Sequence, residues 1–166
     1  MRRICVFFAF CFCFLFLFSS CSQTKTNREG QCPLPFSAVI EGTRGELAFR
    51  AEIAASNTER TIRYTAPEAL AGLTVTETNG KISIGQADFS AENVSDAAGF
   101  LAPLDLLLSP AELTTVEEEN GEQTLTYADG TKLIFGKDGI PRAVMGTEIF
   151  YTISDFQKTQ SGRINP

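Results

Sequence analysis

The chain contains no histidine and no tryptophan in its 166 residues. Without histidine, a Ser-His-Asp relay cannot be assembled, and the common zinc sites that use imidazole ligands are excluded as well. Its glycines occur singly at turn positions and never as a loop that could cradle a phosphate. We therefore expect a protein that is not an enzyme and that carries no cofactor and no bound metal.

Three chemical alternatives remain open at the level of sequence. Lys81 and Ser83 lie two residues apart, as in a Ser–Lys dyad, but no neighbouring pattern indicates an oxyanion hole. The run Glu117-Glu118-Glu119 before an Asn-Gly turn offers carboxylates to calcium, yet it lacks EF-hand spacing and is more typical of a solvated face. Paired carboxylates for sugar cleavage depend on a separation in space that a sequence does not give.

Long apolar runs are absent, except at the N-terminus. Arg2 and Arg3 precede fifteen residues, 4–18, that have no polar side chain other than cysteine, and small polar residues follow. This is the pattern of a signal peptide. A membrane-spanning helix needs about 20 apolar residues, so the run is short for a permanent anchor. We predict a signal peptide over residues 1–20, with a permanent transmembrane anchor as the alternative.

The end of this segment resembles the bacterial lipobox. Phe18-Ser19-Ser20-Cys21 places two small residues before a cysteine, with phenylalanine where the lipobox usually has leucine. The resemblance implies cleavage before Cys21 and attachment of lipid, including palmitate, to that residue. It also implies a lipoprotein held on the extracytoplasmic face of the cell membrane.

Cleavage at this point changes the composition of the remaining chain. Only Cys32 is left beside the lipidated Cys21, which excludes a disulfide framework, and we interpret Cys32 as an incidental thiol in a linker. Loss of Arg2 and Arg3 leaves 12 basic and 20 acidic residues, a net charge of −8. A chain this acidic is a poor nucleic-acid binder and is repelled by anionic headgroups, so contact with the membrane must come from the lipid.

The mature chain has the length of one domain on a tether. Residues 21–35 are polar and end in two prolines, which indicates a lipidated cysteine followed by a flexible tether. Residues 36–156 form the predicted domain. Residues 157–166 are polar, and we expect a disordered tail there.

The domain has the patterns of antiparallel β-structure. Phe49, Ile53 and Tyr64 belong to runs in which apolar and polar residues alternate, the period of a half-buried strand. Asn79-Gly80 is a strong hairpin signal, and similar dipeptides follow at 120–121, 129–130 and 138–139. They predict further strands over residues 114–118, 123–127, 132–135, 142–145 and 148–153. About ten short strands joined by tight turns indicate one large curved antiparallel sheet, a sandwich or a barrel.

A helical pattern interrupts the strands in mid-chain, between residues 94 and 113. Its apolar residues, at 100, 101, 104, 107 and 108, fall at helical spacing, and Pro103 lies among them. We predict a helix near 95–109, or two short helices that meet at Pro103, with Asn93 or Ser95 as the N-cap. The apolar stripe should lie on the concave face of the sheet, either as ordinary core or as one wall of an apolar cleft.

One segment resembles the LolA/LolB lipoprotein-carrier superfamily, whose relatives include Gram-positive lipoproteins that act in germination. Residues 64–75 contain Pro67, Leu70 and Gly72 in the strand–Pro-x-x-Leu-x-Gly–strand step of that superfamily. The resemblance implies a mainly β, half-barrel domain in which a helical insertion covers the concave face and an apolar ligand binds. The chain departs from the carriers because it has no tryptophan and is itself expected to be lipid-anchored.

Two function classes follow. In the first, the domain binds a lipid or the acyl chain of a lipoprotein, without catalysis. The predicted ligand-binding residues are Phe49, Ile53, Tyr64, Ile84, Phe100 and Leu104. In the second, the domain is a tethered envelope interaction protein that holds or activates a partner protein, for example in spore germination or envelope assembly. An open apolar cleft would favour the first class, and a filled core with a bare sheet edge would favour the second.

Overall fold

The computed structural model describes residues 32–96 and 98–159. The predicted signal peptide, the predicted lipidation site Cys21, most of the predicted tether and the end of the predicted tail lie outside the described residues. The described part of the chain forms eleven β-strands and one α-helix. These are β1 Phe36–Arg44, β2 Leu47–Ala55, β3 Glu59–Ala66, β4 Thr74–Thr78, β5 Lys81–Gln86, β6 Phe89–Val94, α1 Ala102–Leu108, β7 Leu113–Glu119, β8 Glu122–Tyr127, β9 Lys132–Phe135, β10 Pro141–Met145 and β11 Ile149–Lys158.

All eleven strands belong to one antiparallel sheet, which is curved and unclosed. Its order is β6-β5-β4-β3-β2-β1-β11-β10-β9-β8-β7. Every neighbouring pair is also consecutive in the chain except β1 and β11, which pair at the centre of the sheet. The two edge strands, β6 and β7, are therefore joined through the segment that contains α1. The predicted fold class, a large curved antiparallel sheet with a mid-chain helix, is confirmed.

An apolar row runs across the concave face because the strand register brings buried side chains opposite one another. In the first half of the sheet, Ile53 pairs with Ile62, and Ile62 pairs with Val75. In the second half, Leu125, Leu133, Val144 and Tyr151 form a continuous series of partners. Most of these side chains are fully buried, so the row forms the floor of the core.

The helix differs from its prediction. It covers seven residues rather than about fifteen, and Pro103 lies in its first turn instead of dividing two helices. Proline is well tolerated in a first turn because the first backbone N–H groups have no intrahelical acceptor. Neither predicted N-cap fills that role: Asn93 belongs to β6, and the N-cap position is Leu101, which makes no side-chain capping bond. Asp96, further upstream, instead accepts hydrogen bonds from the backbone N–H groups of Phe100 and Leu101, before the helix begins.

Both ends of the domain extend beyond the predicted limits. Cys32 is 6% exposed and belongs to the core, so its assignment to a linker was wrong. Burial raises the pKa of the Cys32 thiol to about 12, so it stays protonated and unreactive at neutral pH. Strand β11 runs to Lys158, which places the first residues of the predicted tail in the sheet. In the described part of the chain, no helix is long and apolar enough to span a membrane.

Candidate ligand-binding cleft

Helix α1 and the turn before it cover the concave face of the sheet. Leu101, Leu104 and Leu107 are at most 1% exposed. Phe100 and Leu108, at the two ends of the predicted stripe, are half-buried and pack against the same core. Leu101, Leu104 and Leu107 are spaced three residues apart, so they lie on one side of the helical segment, the side that faces the sheet. The concave side is therefore filled by the protein's own side chains in this state.

Four aromatic rings form the part of this core closest to the start of the helix. The rings of Phe49 and Tyr64 lie 6.1 Å apart, centroid to centroid, at 63°. Those of Tyr64 and Phe100 lie 5.9 Å apart at 70°, and those of Phe49 and Tyr151 lie 6.4 Å apart at 62°. Edge-to-face pairs at these separations are favourable contacts beyond the area that they bury.

Two tyrosine hydroxyls connect the floor of the sheet to the helical segment. The Tyr64 hydroxyl donates a hydrogen bond to the backbone carbonyl of Phe100 at 2.8 Å, and the Tyr151 hydroxyl donates to that of Pro103 at 2.6 Å. Burial raises the pKa of Tyr64 to about 12 and that of Tyr151 well above its ordinary value. Both hydroxyls consequently keep the protons that these bonds require at any physiological pH.

The loop before the helix is held at its polar backbone. One Asp96 carboxylate oxygen accepts a hydrogen bond from the N–H of Phe100 at 2.8 Å, and the other accepts one from Leu101 at 2.7 Å. The Arg44 guanidinium donates to the carbonyl oxygens of Ala98 at 2.8 Å and Gly99 at 3.0 Å. Strand β1 thus holds this loop through one arginine side chain.

A second arginine holds the helix itself. The Arg60 guanidinium on β3 forms ion pairs with Glu77 on β4 and with Asp105 on α1. Its Nε donates to the Glu77 carboxylate at 2.6 Å. Asp105 is half exposed, so solvent screens the pair with the helix, and its contribution to stability is modest. The polar attachments of α1 are therefore few compared with its apolar contacts.

An open cleft of about 810 Å³ lies at the rim, beside the start of the helical segment. It lies between the β1–β2 turn, the β10–β11 turn and the loop at residues 98–100. Its apolar walls come from Leu47, Leu70, Phe100, Ile149 and Phe150. Phe150 and Leu47 are 43% and 47% exposed, so part of the apolar lining of this cleft is open to solvent.

The predicted ligand-binding residues fall into two groups. Phe49, Tyr64 and Phe100 meet in the aromatic group, and Leu104 packs over the sheet from α1. The other two residues lie outside the aromatic group. Ile53 belongs to the apolar row on the concave face, where it pairs with Ile62, and Ile84 is half-buried on β5.

Sequence reasoning missed the residues that hold the helical segment, namely Arg44, Arg60, Asp96 and Tyr151. The alternation of β11 could have identified Tyr151 as inward-facing. Nothing in the local sequence marks either arginine.

Two chemical alternatives that the sequence left open, a metal site and a Ser–Lys dyad, can be compared with the described side chains. No group of three or more acidic or cysteine side chains in the described segments is arranged to hold a metal ion. Glu117, Glu118 and Glu119 are exposed, as expected of a solvated face. The Ser83 hydroxyl lies 3.5 Å from the carbonyl oxygen of Thr76, to which it donates. Lys81, its predicted dyad partner, is exposed.

Comparison with known proteins gives likenesses of fold. No protein-family model matches the chain, and no curated protein matches it. An uncharacterised conserved protein from Thermus thermophilus is similar in structure, with a TM-score of 0.50 and 13% identity over 77% of this chain and 80% of that protein. A LolA superfamily protein from Nitrosomonas europaea has a TM-score of 0.48 and 10% identity, over 81% of this chain and 90% of its own. The half-barrel architecture predicted from the LolA/LolB resemblance is confirmed by the sheet and helix of this chain.

Proposed function

We propose that the chain is a lipid-anchored extracytoplasmic lipoprotein whose half-barrel binds an apolar group without catalysis. The group is a lipid or the acyl chain of a lipoprotein, and the anchor is the lipid on Cys21. The single observation that carries the proposal is the apolar row on the concave face, which in the described part of the chain is covered by a seven-residue helix and the turn before it. Such a helix is too short to be stable without its tertiary contacts.

Two leucines of α1 and the leucine at its N-cap occupy the place that a bound acyl chain would take. Leu101, Leu104 and Leu107 bury their side chains against the apolar floor, and a hydrocarbon chain could make the same contacts. Exchange of one apolar group for another of equal area costs little, because burial is worth roughly 25 cal/mol per Å² in either case. Net affinity then requires a ligand that covers more of the floor than the three leucines do.

The rim cleft provides the route by which an apolar ligand would reach the concave face. An apolar ligand that enters beside Phe100 first meets half-exposed apolar walls and then the aromatic group of Phe49 and Tyr64. To go further it must displace the loop that Arg44 and Asp96 hold. The sheet residues Phe49, Ile53, Tyr64 and Ile84, together with Phe100, would then contact the ligand, and Leu104 would move aside or pack against it.

Binding should be lost when a charge is placed at the entrance. We expect the non-lipidated chain 22–166, which contains every described residue, to bind a fluorescent fatty acid saturably and to be seen with lipid in native mass spectrometry. Phe100→Asp should abolish this binding, because an unpaired carboxylate would be buried against the ligand. Phe89→Asp is the matched control, since Phe89 is 63% exposed in the β5–β6 hairpin and should leave binding unchanged.

Circular dichroism of both variants must show an intact fold for the comparison to count. Absence of binding by the unsubstituted chain to fatty acids, phospholipids and acylated peptides would contradict the proposal. Equal loss of binding in the Phe100 and Phe89 variants would contradict the location of the cleft.

The filled state of the concave face favours a second candidate function. Phe49, Ile53 and Leu104 are at most 4% exposed, so the core is complete without a ligand. A domain packed in this way could act as a tethered interaction protein that holds or activates a partner in the cell envelope. Ligand titrations separate the two candidates, because the interaction protein would bind no lipid whether or not α1 is loosened.

Lipidation of Cys21 has its own test. Mass spectrometry of the mature protein should show an N-terminal diacylglyceryl-cysteine at position 21, because Phe18-Ser19-Ser20-Cys21 resembles the lipobox. The Cys21→Ala variant should remain unprocessed, whereas Cys11→Ala, within the apolar run, should be processed normally. Normal cleavage and membrane retention of the Cys21→Ala protein would disprove the assignment.

A further inference from the structure

The two edges of the sheet differ in how they are protected against pairing with another strand. Edge strand β6 is interrupted by a bulge in its pairing with β5, and Asn93 within it has a left-handed backbone, with φ of 54°. Such irregularities blunt an edge. Edge strand β7 is seven residues long and has its bulge only at its start, between Leu113 and Thr115. It contains neither proline nor lysine. From Val116 to its end, β7 is a regular strand whose outer backbone groups pair with no other described strand.

The same stretch of β7 carries negative charge without a matching positive charge. Glu117, Glu118 and Glu119 are all exposed, and Glu119 lies directly opposite Glu122 of β8. Like charges in directly opposed positions destabilise a sheet. Within the described residues none of these four carboxylates takes part in an ion pair, although the side chain of Lys137 lies against Gly121 at the hairpin tip. A cationic group beside β7 would relieve this repulsion.

We propose that β7 accepts an extended, basic segment of a partner protein as a twelfth strand. Backbone hydrogen bonds to the open edge would supply affinity, and the carboxylates would select the sequence. Val116 is 43% exposed and lies on the concave side with Glu118, while Glu117 and Glu119 point to the other face. The segment should therefore place an apolar residue opposite Val116 and lysine or arginine at the next three positions.

Charge argues against the other occupants of this edge. A second copy of the chain would bring its own acidic β7 or the nearly uncharged β6, so neither pairing offers a counter-charge. An anionic membrane surface would repel the strand. The proposed surface lies on the opposite edge of the sheet from β6 and is separate from the rim cleft at Phe100, so it does not depend on lipid binding.

The test uses chain 22–166 and a fluorescein-labelled peptide of about ten residues, long enough to pair with all of β7. Its sequence alternates threonine and valine and then has three lysines. Two control peptides replace the lysines with glutamates or carry N-methyl groups on alternate backbone nitrogens. The protein variants are the triple change Glu117→Gln, Glu118→Gln, Glu119→Gln and a charge-matched control, Glu41→Gln, Glu46→Gln, Glu68→Gln, whose three positions are exposed and lie outside β7 and its partner strand β8.

Fluorescence anisotropy should show saturable binding of the lysine peptide that weakens about tenfold or more in the β7 variant and not in the control variant. The N-methylated and glutamate peptides should also bind about tenfold or more weakly. Absence of binding would overturn the proposal. Equal binding of the N-methylated peptide would overturn strand pairing in favour of simple charge attraction. Equal effects of the two triple variants would show that net charge, not the β7 edge, is recognised.

Discussion

Replacement of Gly42 by alanine is expected to destabilise the domain by about 3 kcal/mol or more, above the usual cost of an overpacked methyl group. A Cβ atom at this position would lie 1.9 Å from the carbonyl oxygen of Phe150 and 2.5 Å from the Cα of Tyr151. Both are backbone atoms of β11, so no side-chain rotation can relieve the clash. Gly42 pairs with Tyr151 on one side and with Phe49 on the other, at the centre of the sheet.

Urea unfolding followed by circular dichroism measures this effect, and Gly85→Ala is its control. Gly85 also lies within a strand, but a Cβ atom there would come no closer than 3.7 Å to a neighbouring atom, an ordinary contact. The control should change the free energy of unfolding by less than about 1 kcal/mol. A Gly42→Ala variant as stable as the Gly85→Ala variant would mean that β1 and β11 do not pair in the register described.

The central strands could be predicted because their sequences repeat the geometry of the sheet. In β2 and β3, buried and exposed residues alternate almost without exception, since one face packs on the core and the other meets water. The Asn-Gly and Asp-Gly turns fixed the hairpins for a similar reason, because glycine adopts the positive φ that such turns need.

Two strands were missed, and each for a physical reason. Strand β6 is an edge with only Ala91 and Val94 half-buried, so it has almost no apolar alternation to detect. In β1 the alternation of Phe36, Ala38 and Ile40 ends at Gly42, where close approach of β11 replaces a buried side chain. A local pattern does not reveal a position whose residue type is set by a strand more than a hundred residues away.

The sequence predicted which side chains face inward, but it left open whether the concave face is filled core or an apolar cleft. Phe49, Tyr64 and Phe100 do converge, because alternation and helical spacing both report which side chains face inward. The helix fills the concave side because it packs closely on the sheet and is held by contacts distant in sequence. Examples are Arg44 with Gly99 and Arg60 with Asp105. The sequence gives no periodic signal for such contacts.

Shortening of Leu104 should have two effects of opposite direction. Leu104 is fully buried between α1 and the sheet, so Leu104→Ala should lower the free energy of unfolding by about 2–5 kcal/mol through lost burial and the cavity left behind. The same change loosens the helix that covers the concave face. If an apolar ligand must displace this helix, its apparent affinity rises with the fraction of molecules that are open, and the variant should bind more tightly.

Phe36→Ala provides the control for this pair of measurements. Phe36 is 1% exposed and stacks on Phe156 of β11, 5.1 Å away, so its loss destabilises the sheet directly. Phe36→Ala should lower the free energy of unfolding by about 3–5 kcal/mol, an effect similar to that of Leu104→Ala, and leave fatty-acid affinity unchanged. Weaker ligand binding by Leu104→Ala would mean that the leucine contacts the ligand instead of competing with it. If both variants are folded and neither binds the fatty acid, the concave face is an ordinary hydrophobic core. That result would favour the tethered interaction protein.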